Sequence, residues 1–138
     1  MEATAVVDTN LIFSALISNA SSIRTLLLDE RYLFYAPNFV FVELFKHKEK
    51  ILRYTKLNED EFYAFFNSVI ERIRFLPIEI VGLRIRQRGY DLCKDIDVHD
   101  IPFLSLALEL DLPLWTGDKK LKNGLLGKGY SNFYEPLL

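Results

Sequence analysis

Four acids, Asp8, Glu43, Asp100 and Asp118, stand where a carboxylate is either aimed or out of place. Asp8 ends the short apolar stretch Ala3 to Val7, and Asp118 follows PLWT and Gly117. Glu43 interrupts the run FVFVELF, where an ionised carboxylate is expensive to bury unless it is paired or coordinated. Asp100 stands at the mouth of the apolar segment IPFLSLALEL. Gathered at one place, such groups suit Mg²⁺ or Mn²⁺, because hard divalent cations take oxygen ligands and magnesium keeps several waters. A cation so held lowers the pKa of an attacking water and offsets charge growing on phosphoryl oxygens; two cations clamp both ends of an in-line displacement. Metal-assisted phosphodiester hydrolysis is therefore the chemistry this set can do, with no nucleophilic side chain required.

Each acid also has a plainer reading. Asp8 can cap a helix, and Asp118 can serve the turn at Gly117. Glu43 can pair with Lys46 along a helix, and Asp100 can cap the helix it precedes and complement its dipole. Asp97 is a further candidate ligand, although it belongs to the loop before that helix. Around the acids, Thr9 or Asn10 can orient a ligand or water, with Asn10 also suited to helix capping, and Thr116 can hold a carboxylate in place. The only two histidines, His47 and His99, and the lack of a G-x-S-x-G elbow speak against a Ser-His-Asp hydrolase. His99 can approach phosphate but reads as an exposed loop residue, Cys93 as packing material, and Trp115 with the other aromatics as core.

The elements that must carry these residues alternate. Ala3 to Val7 predicts a strand and Leu11 to Ile17 a helix capped by Asn10; Ser21 or Ser22 can cap IRTLLLDE. Tyr32 to Ala36 predicts an aromatic strand stopped by Pro37. Residues 38–54 look helical, and Asn58 with Glu61 has capping-box spacing ahead of a helix to about Ile73. Arg74 to Leu76 suggests a short strand, and residues 84–94 a helix weakened by Gly89. Pro102 is tolerated only in a first turn, so the next helix should begin near Asp100. Pro113 then opens the strand PLWT, and the remaining residues hold too much glycine for a long element. Strands alternating with helices argue for an α/β fold with a mostly parallel sheet covered on both faces, whose ligands gather at the carboxyl ends of the strands. That arrangement places Asp8 and Asp118 at the same edge of the sheet.

Composition agrees with a single folded domain over residues 1–138: half the residues are hydrophobic, a quarter charged, and glycine and proline are sparse. One cysteine forms no internal disulfide, which fits a reducing, cytoplasmic location. The acidic start MEATAVVDTN does not resemble a secretory signal, and no apolar run approaches a membrane span. The net charge of −2 looks unpromising for phosphate binding. With four acids committed to cations the remainder is basic, and lysines and arginines cluster beside two of the acids. Lys46, Lys48, Lys50, Arg53 and Lys56 follow Glu43, and Lys119, Lys120 and Lys122 follow Asp118. From sequence these clusters read equally as solvated helix faces or as phosphate contacts.

Taken in order, VVDTN, FVFVELFK and HDIPFLSLALELDLPLWTGDKKL resemble the PIN-domain nucleases, including the toxin ribonucleases of VapBC-type toxin–antitoxin systems. The resemblance spans nearly the whole chain. It implies a three-layer αβα PIN-like fold with a central, mostly parallel β-sheet, and RNA cleavage dependent on Mg²⁺ or Mn²⁺. It puts metal-site roles on Asp8, Glu43, Asp100 and Asp118, with Thr9, Asn10 and Thr116 in support. For partners it implies an RNA substrate, a homodimer and, for toxin members, an antitoxin protein. In one departure, lysines follow Asp118 where some relatives carry a further acid that bears on a second ion. Two rivals stand beside this reading. A receiver-like or haloacid-dehalogenase-like phosphoryl-transfer domain would also place an acid after the first strand, but VVDTN lacks the second Asp of a D-x-D phosphatase. The other rival is a non-catalytic module that binds RNA or protein.

Overall fold

The computed structural model describes residues 2–17 and 21–136, with the side chains of Glu2 and Ser21 left out. Four strands, β1 (Glu2–Val7), β2 (Tyr32–Pro37), β3 (Arg74–Leu76) and β4 (Leu114–Trp115), form one parallel sheet in the order β3-β2-β1-β4. Among the described residues eight α-helices surround it: α1 (Thr9–Ile17), α2 (Ser21–Leu28), α3 (Phe39–Lys46), α4 (Lys48–Tyr54), α5 (Glu59–Arg72), α6 (Leu83–Cys93), α7 (Ile101–Leu110) and α8 (Lys119–Gly127). The result is a three-layer αβα fold. On one side α7 packs against β1, β2 and β4 and carries α6; elsewhere α1, α2, α4 and α5 pack on one another.

β1 is one of the sheet's two inner strands, and its sequence suits burial on both faces. Ala5, Val6 and Val7 are all fully buried, as expected of a parallel strand covered by helices on either side. Phe34 of β2 and Trp115 of β4 meet at 5.1 Å between ring centroids, and Tyr134 packs edge-on against both. The segment around Asn132 to Tyr134 covers the free edge of β4: Leu114 donates to Asn132, and Tyr134 donates to Leu114. The expected capping box opens α5, with the Glu61 amide donating to Asn58 Oδ1 at 2.8 Å and the Asn58 amide to Glu61 Oε1 at 3.2 Å. Pro102 lies in the first turn of α7, as its missing N–H requires.

Three expectations are corrected. The first helix begins at Thr9 and is capped by Asp8, whose Oδ1 accepts the Leu11 amide at 2.9 Å, so Asn10 lies inside the helix and is not the cap. Ser22 is likewise inside α2, and the environment of Ser21 falls outside the described residues. Residues 38–54 are helical as expected, in two helices that part at His47, a turn neither glycine nor proline announces; the backbone bonds from His47 to Glu43 and from Ile51 to His47 are kept. The glycine-bearing tail forms α8 because Leu121 and Leu125 are buried one turn apart. Burying each contributes about 1.5–3 kcal/mol, whereas an interior glycine costs about 1 kcal/mol. Gly89 is not merely a weak point: it lies where α6 crosses α7, and a Cβ there would collide with Ser105. No single helix among the described residues is long and apolar enough to cross a membrane.

Candidate active site

The strand order reverses direction at β1, which has β2 on one side and β4 on the other. A crevice at the carboxyl ends of the strands is expected at this switch point, and the acids converge there. Val7 pairs with Trp115, and the Asp8 amide continues the ladder by donating to the Trp115 carbonyl at 3.1 Å. This register brings Thr116 to Asp8. Thr116 Oγ1 donates to Asp8 Oδ2 and accepts the Asp118 amide at 3.1 Å, so one hydroxyl ties the two acids together. Asp118 caps α8 by accepting the Leu121 amide at 3.1 Å. Asp8 is 4% exposed. Burial pushes its carboxyl above the ordinary range, with Asp118 adding a smaller upward push, against the bonds from Thr116 and Leu11 that hold it down.

Asp100 sits at the mouth of α7, yet its side chain makes no capping hydrogen bond. The capping reading of Asp100 is thereby removed. Half-buried, its carboxyl is pushed up to about 6, first by burial and then by the charges of Asp97, Asp8 and Asp118, with His99 opposing. Asp97 is differently placed. It caps the 3-10 turn Val98–Asp100, accepting the His99 amide at 2.9 Å and lying 3.1 Å from His99 Nδ1, and these contacts hold its carboxyl below the usual range.

Glu43 lies on α3 with Oε2 3.1 Å from His47 Nε2, so its partner is His47 and not Lys46. It is only half-buried. The apolar run around it does not enclose it, because Val40 and Leu44 face the core while Phe39, Phe41, Val42 and Phe45 are exposed. The sequence shows the helical spacing of Glu43 to both basic neighbours; only the fold shows which one turns toward it.

Asp8, Glu43, Asp97, Asp100 and Asp118 all line one pocket of about 500 Å³, together with Thr9 and Asn10. Among the described residues, no lysine or arginine lines it. Thr116, buried behind Asp8, supports the site from below without lining it. Among the described residues, no group of three or more acidic, histidine or cysteine side chains is arranged to hold an ion by itself. The chemistry of the donor set nonetheless fits a hard divalent cation: carboxylate oxygens that repel one another, with no lysine or arginine among them, in a pocket open enough for the waters magnesium retains.

His99 is exposed in the turn before α7, as expected, and it also lines the pocket, clamped to Asp97. Phe39, read from sequence as core, lines it too. Cys93 is buried, and burial pushes its thiol up to about 12, in keeping with packing. The family model described as "PIN domain" matches residues 6–132, a span that includes every acid of the pocket. No curated protein matches the chain.

Proposed function

The chain belongs to the PIN-domain family of metal-dependent nucleases, and from that premise we propose that it is a ribonuclease that uses Mg²⁺ or Mn²⁺. The observation that carries the proposal is the switch-point pocket, which gathers Asp8, Asp100 and Asp118 closely enough for their charges to oppose one another, with no lysine or arginine among its lining residues and only His99 opposing the push on Asp100.

Asp8, Asp100 and Asp118 would hold the ion, with Glu43 reaching from α3 on the pocket wall. The bound ion supplies Lewis acidity, offsetting charge on the phosphoryl oxygens and lowering the pKa of the attacking water. The chain's own part is placement. Asp8 is fixed by Thr116 and the Leu11 amide, and Asp118 by its cap on α8, so two acids are oriented before any substrate arrives. Thr9 and Asn10, in the first turn of α1, add polar groups at the wall. Lys119 and Lys120 are exposed at the start of α8, and Lys120 is near enough to Asp97 to hold that carboxyl down. Phosphate contacts from these lysines would make RNA affinity fall steeply with salt. Lys122 is instead paired to Glu135.

A protein partner, either the second copy of a homodimer or an antitoxin in a toxin–antitoxin pair, is supported by the apolar surface of α3, where Val42 is 61% exposed beside Phe41 and Phe45. Such a surface suits an interface. The nuclease reading is tested on defined single-stranded and structured RNAs with Mg²⁺, Mn²⁺ or EDTA. Cleavage that either ion supports and EDTA abolishes is the expected result. RNA binding without cleavage under every ion would favour a non-catalytic module.

A further inference from the structure

Beside its acids the pocket carries a wall without carboxylates, formed by Phe39, Val98, His99 and Pro102. Phe39 is 38% exposed, although Val40 beside it is fully buried. Its ring is braced by Phe103, which is buried and stands edge-on at 5.5 Å with an interplanar angle of 78°. The His99 side chain is 92% exposed. It is still held in place, because Asp97 Oδ1 lies 3.1 Å from Nδ1 and also accepts the His99 amide at 2.9 Å. With Nδ1 turned to the carboxylate, Nε2 is the ring nitrogen left for a ligand.

Leaving an aromatic ring and a valine in contact with water next to a carboxylate cluster gains the folded chain nothing. A flat apolar face next to a directed hydrogen-bonding edge, within the same pocket as a phosphodiester site, matches a nucleobase. Bases stack on aromatic rings, and only an unpaired base can be splayed out to do so. Resting on the nuclease reading above, we propose that Phe39 and His99 form a base subsite: an unpaired base next to the scissile phosphate stacks on Phe39 while His99 Nε2 meets its edge.

The experiment uses an RNA that the full chain cleaves, with one abasic position moved nucleotide by nucleotide past the scissile bond. Stacking on an aromatic side chain corresponds to a loss of roughly tenfold in kcat/KM at the one register where the base is missing. Phe39→Ala and Phe39→Leu, the latter keeping an apolar contact to Phe103, should show that loss on intact RNA and lose no more on the abasic one. Phe39→Tyr should retain wild-type behaviour. His99→Ala should alter the preference among the four bases at that register. In all of these variants the melting-temperature rise on adding Mn²⁺ should stay as in wild type, which separates a base subsite from damage to the acids. If wild type shows no sensitive register, or Phe39→Leu cleaves intact RNA at the wild-type rate, the subsite is overturned while the nuclease reading stands. If wild type cleaves no RNA with any ion, both are overturned.

Discussion

The ends of β1 and β4 and the turn before α7 supply acids to the same pocket but hold them in opposite ways. At the strand ends, both oxygens of Asp8 are hydrogen-bonded, by Thr116 and by the Leu11 amide, and Asp118 is anchored as a helix cap. At the turn, Asp97 Oδ1 is engaged by both the amide and the ring of His99, while Asp100 occupies a cap position and makes no capping bond. One corner provides fixed geometry. The other provides a carboxylate that the fold leaves unsatisfied and repelled by its neighbours, which is what a cation would relieve.

The largest expected effects test that contrast directly. Asp8→Asn and Asp100→Asn should each lower RNA cleavage by orders of magnitude, since each removes a charge from the proposed cation site. Their effects on folding should differ in size. Asp8→Asn relieves a charge that burial disfavours but disturbs two buried hydrogen bonds, a cost of about 1 kcal/mol, so metal-free stability should gain less than in Asp100→Asn. Asp100→Asn loses no capping bond and relieves repulsion, so the metal-free protein should melt at the same or a higher temperature. Asp97→Asn should retain much of the activity, because Asp97 Oδ1 serves the turn as its cap, a role that an asparagine oxygen keeps. Cleavage rates, Mn²⁺ titrations and thermal melts of the purified variants check all three. Loss of metal binding and cleavage in Asp97→Asn, with Asp100→Asn near wild type, would reverse the assignment.

A smaller effect is expected at Thr116, which touches the strand-end corner alone. Thr116→Val keeps the volume but leaves buried Asp8 Oδ2 without its donor, a loss of about 1–3 kcal/mol in stability by thermal or denaturant unfolding. Thr116→Ser should restore most of it. Mn²⁺ affinity should weaken in the valine variant through the displaced Asp8, and should follow the serine variant back. Equal stability of the threonine and valine proteins would mean that the hydroxyl does not hold Asp8.

How far the sequence disclosed this contrast depends on the range of the interactions involved. The alternation of strands and helices, the Asn58–Glu61 box and the position of Pro102 are local patterns, and the structure repeats them. That Asp8 and Asp118 share an edge followed from parallel pairing alone. The bridging role of Thr116 spans the sheet, so residue type could suggest a support but not its partner. The capping role of Asp8 was among the readings open to it, yet Asn10 competed for the same helix on local propensity, and only the backbone geometry decided. Glu43 shows the opposite failure. A run of large apolar residues reads as buried, but on a helix with one face on the core, Phe41, Val42 and Phe45 remain at the surface and Glu43 with them.

The smallest expected effect is a pH dependence of metal-free stability, and it isolates Asp100. An acid whose folded pKa lies above its unfolded value binds its proton more tightly in the folded state, so its contribution is complete below the unfolded pKa and lost as pH rises through the folded one. For Asp100 the two values are 3.8 and about 6. Metal-free wild type should therefore lose stability relative to Asp100→Asn as pH rises from about 4 to about 6. Asp97 does not confound that window: its folded pKa is lowered, so its contribution is present above the ordinary value of 3.8 and is lost only at more acid pH. Asp8 shares the sign of Asp100 but is present in both proteins, and the difference between the two melting curves largely removes it. Because a cation and a proton compete for the same carboxylate, millimolar Mn²⁺ should raise the wild-type melting temperature more at pH 7 than at pH 5, and Asp100→Asn should flatten that contrast. Parallel curves for the two proteins from pH 4 to pH 7 without metal, together with an equal Mn²⁺ response at both pH values, would mean that Asp100 is as well satisfied as the acids at the strand ends, and the distinction between the two corners would not hold.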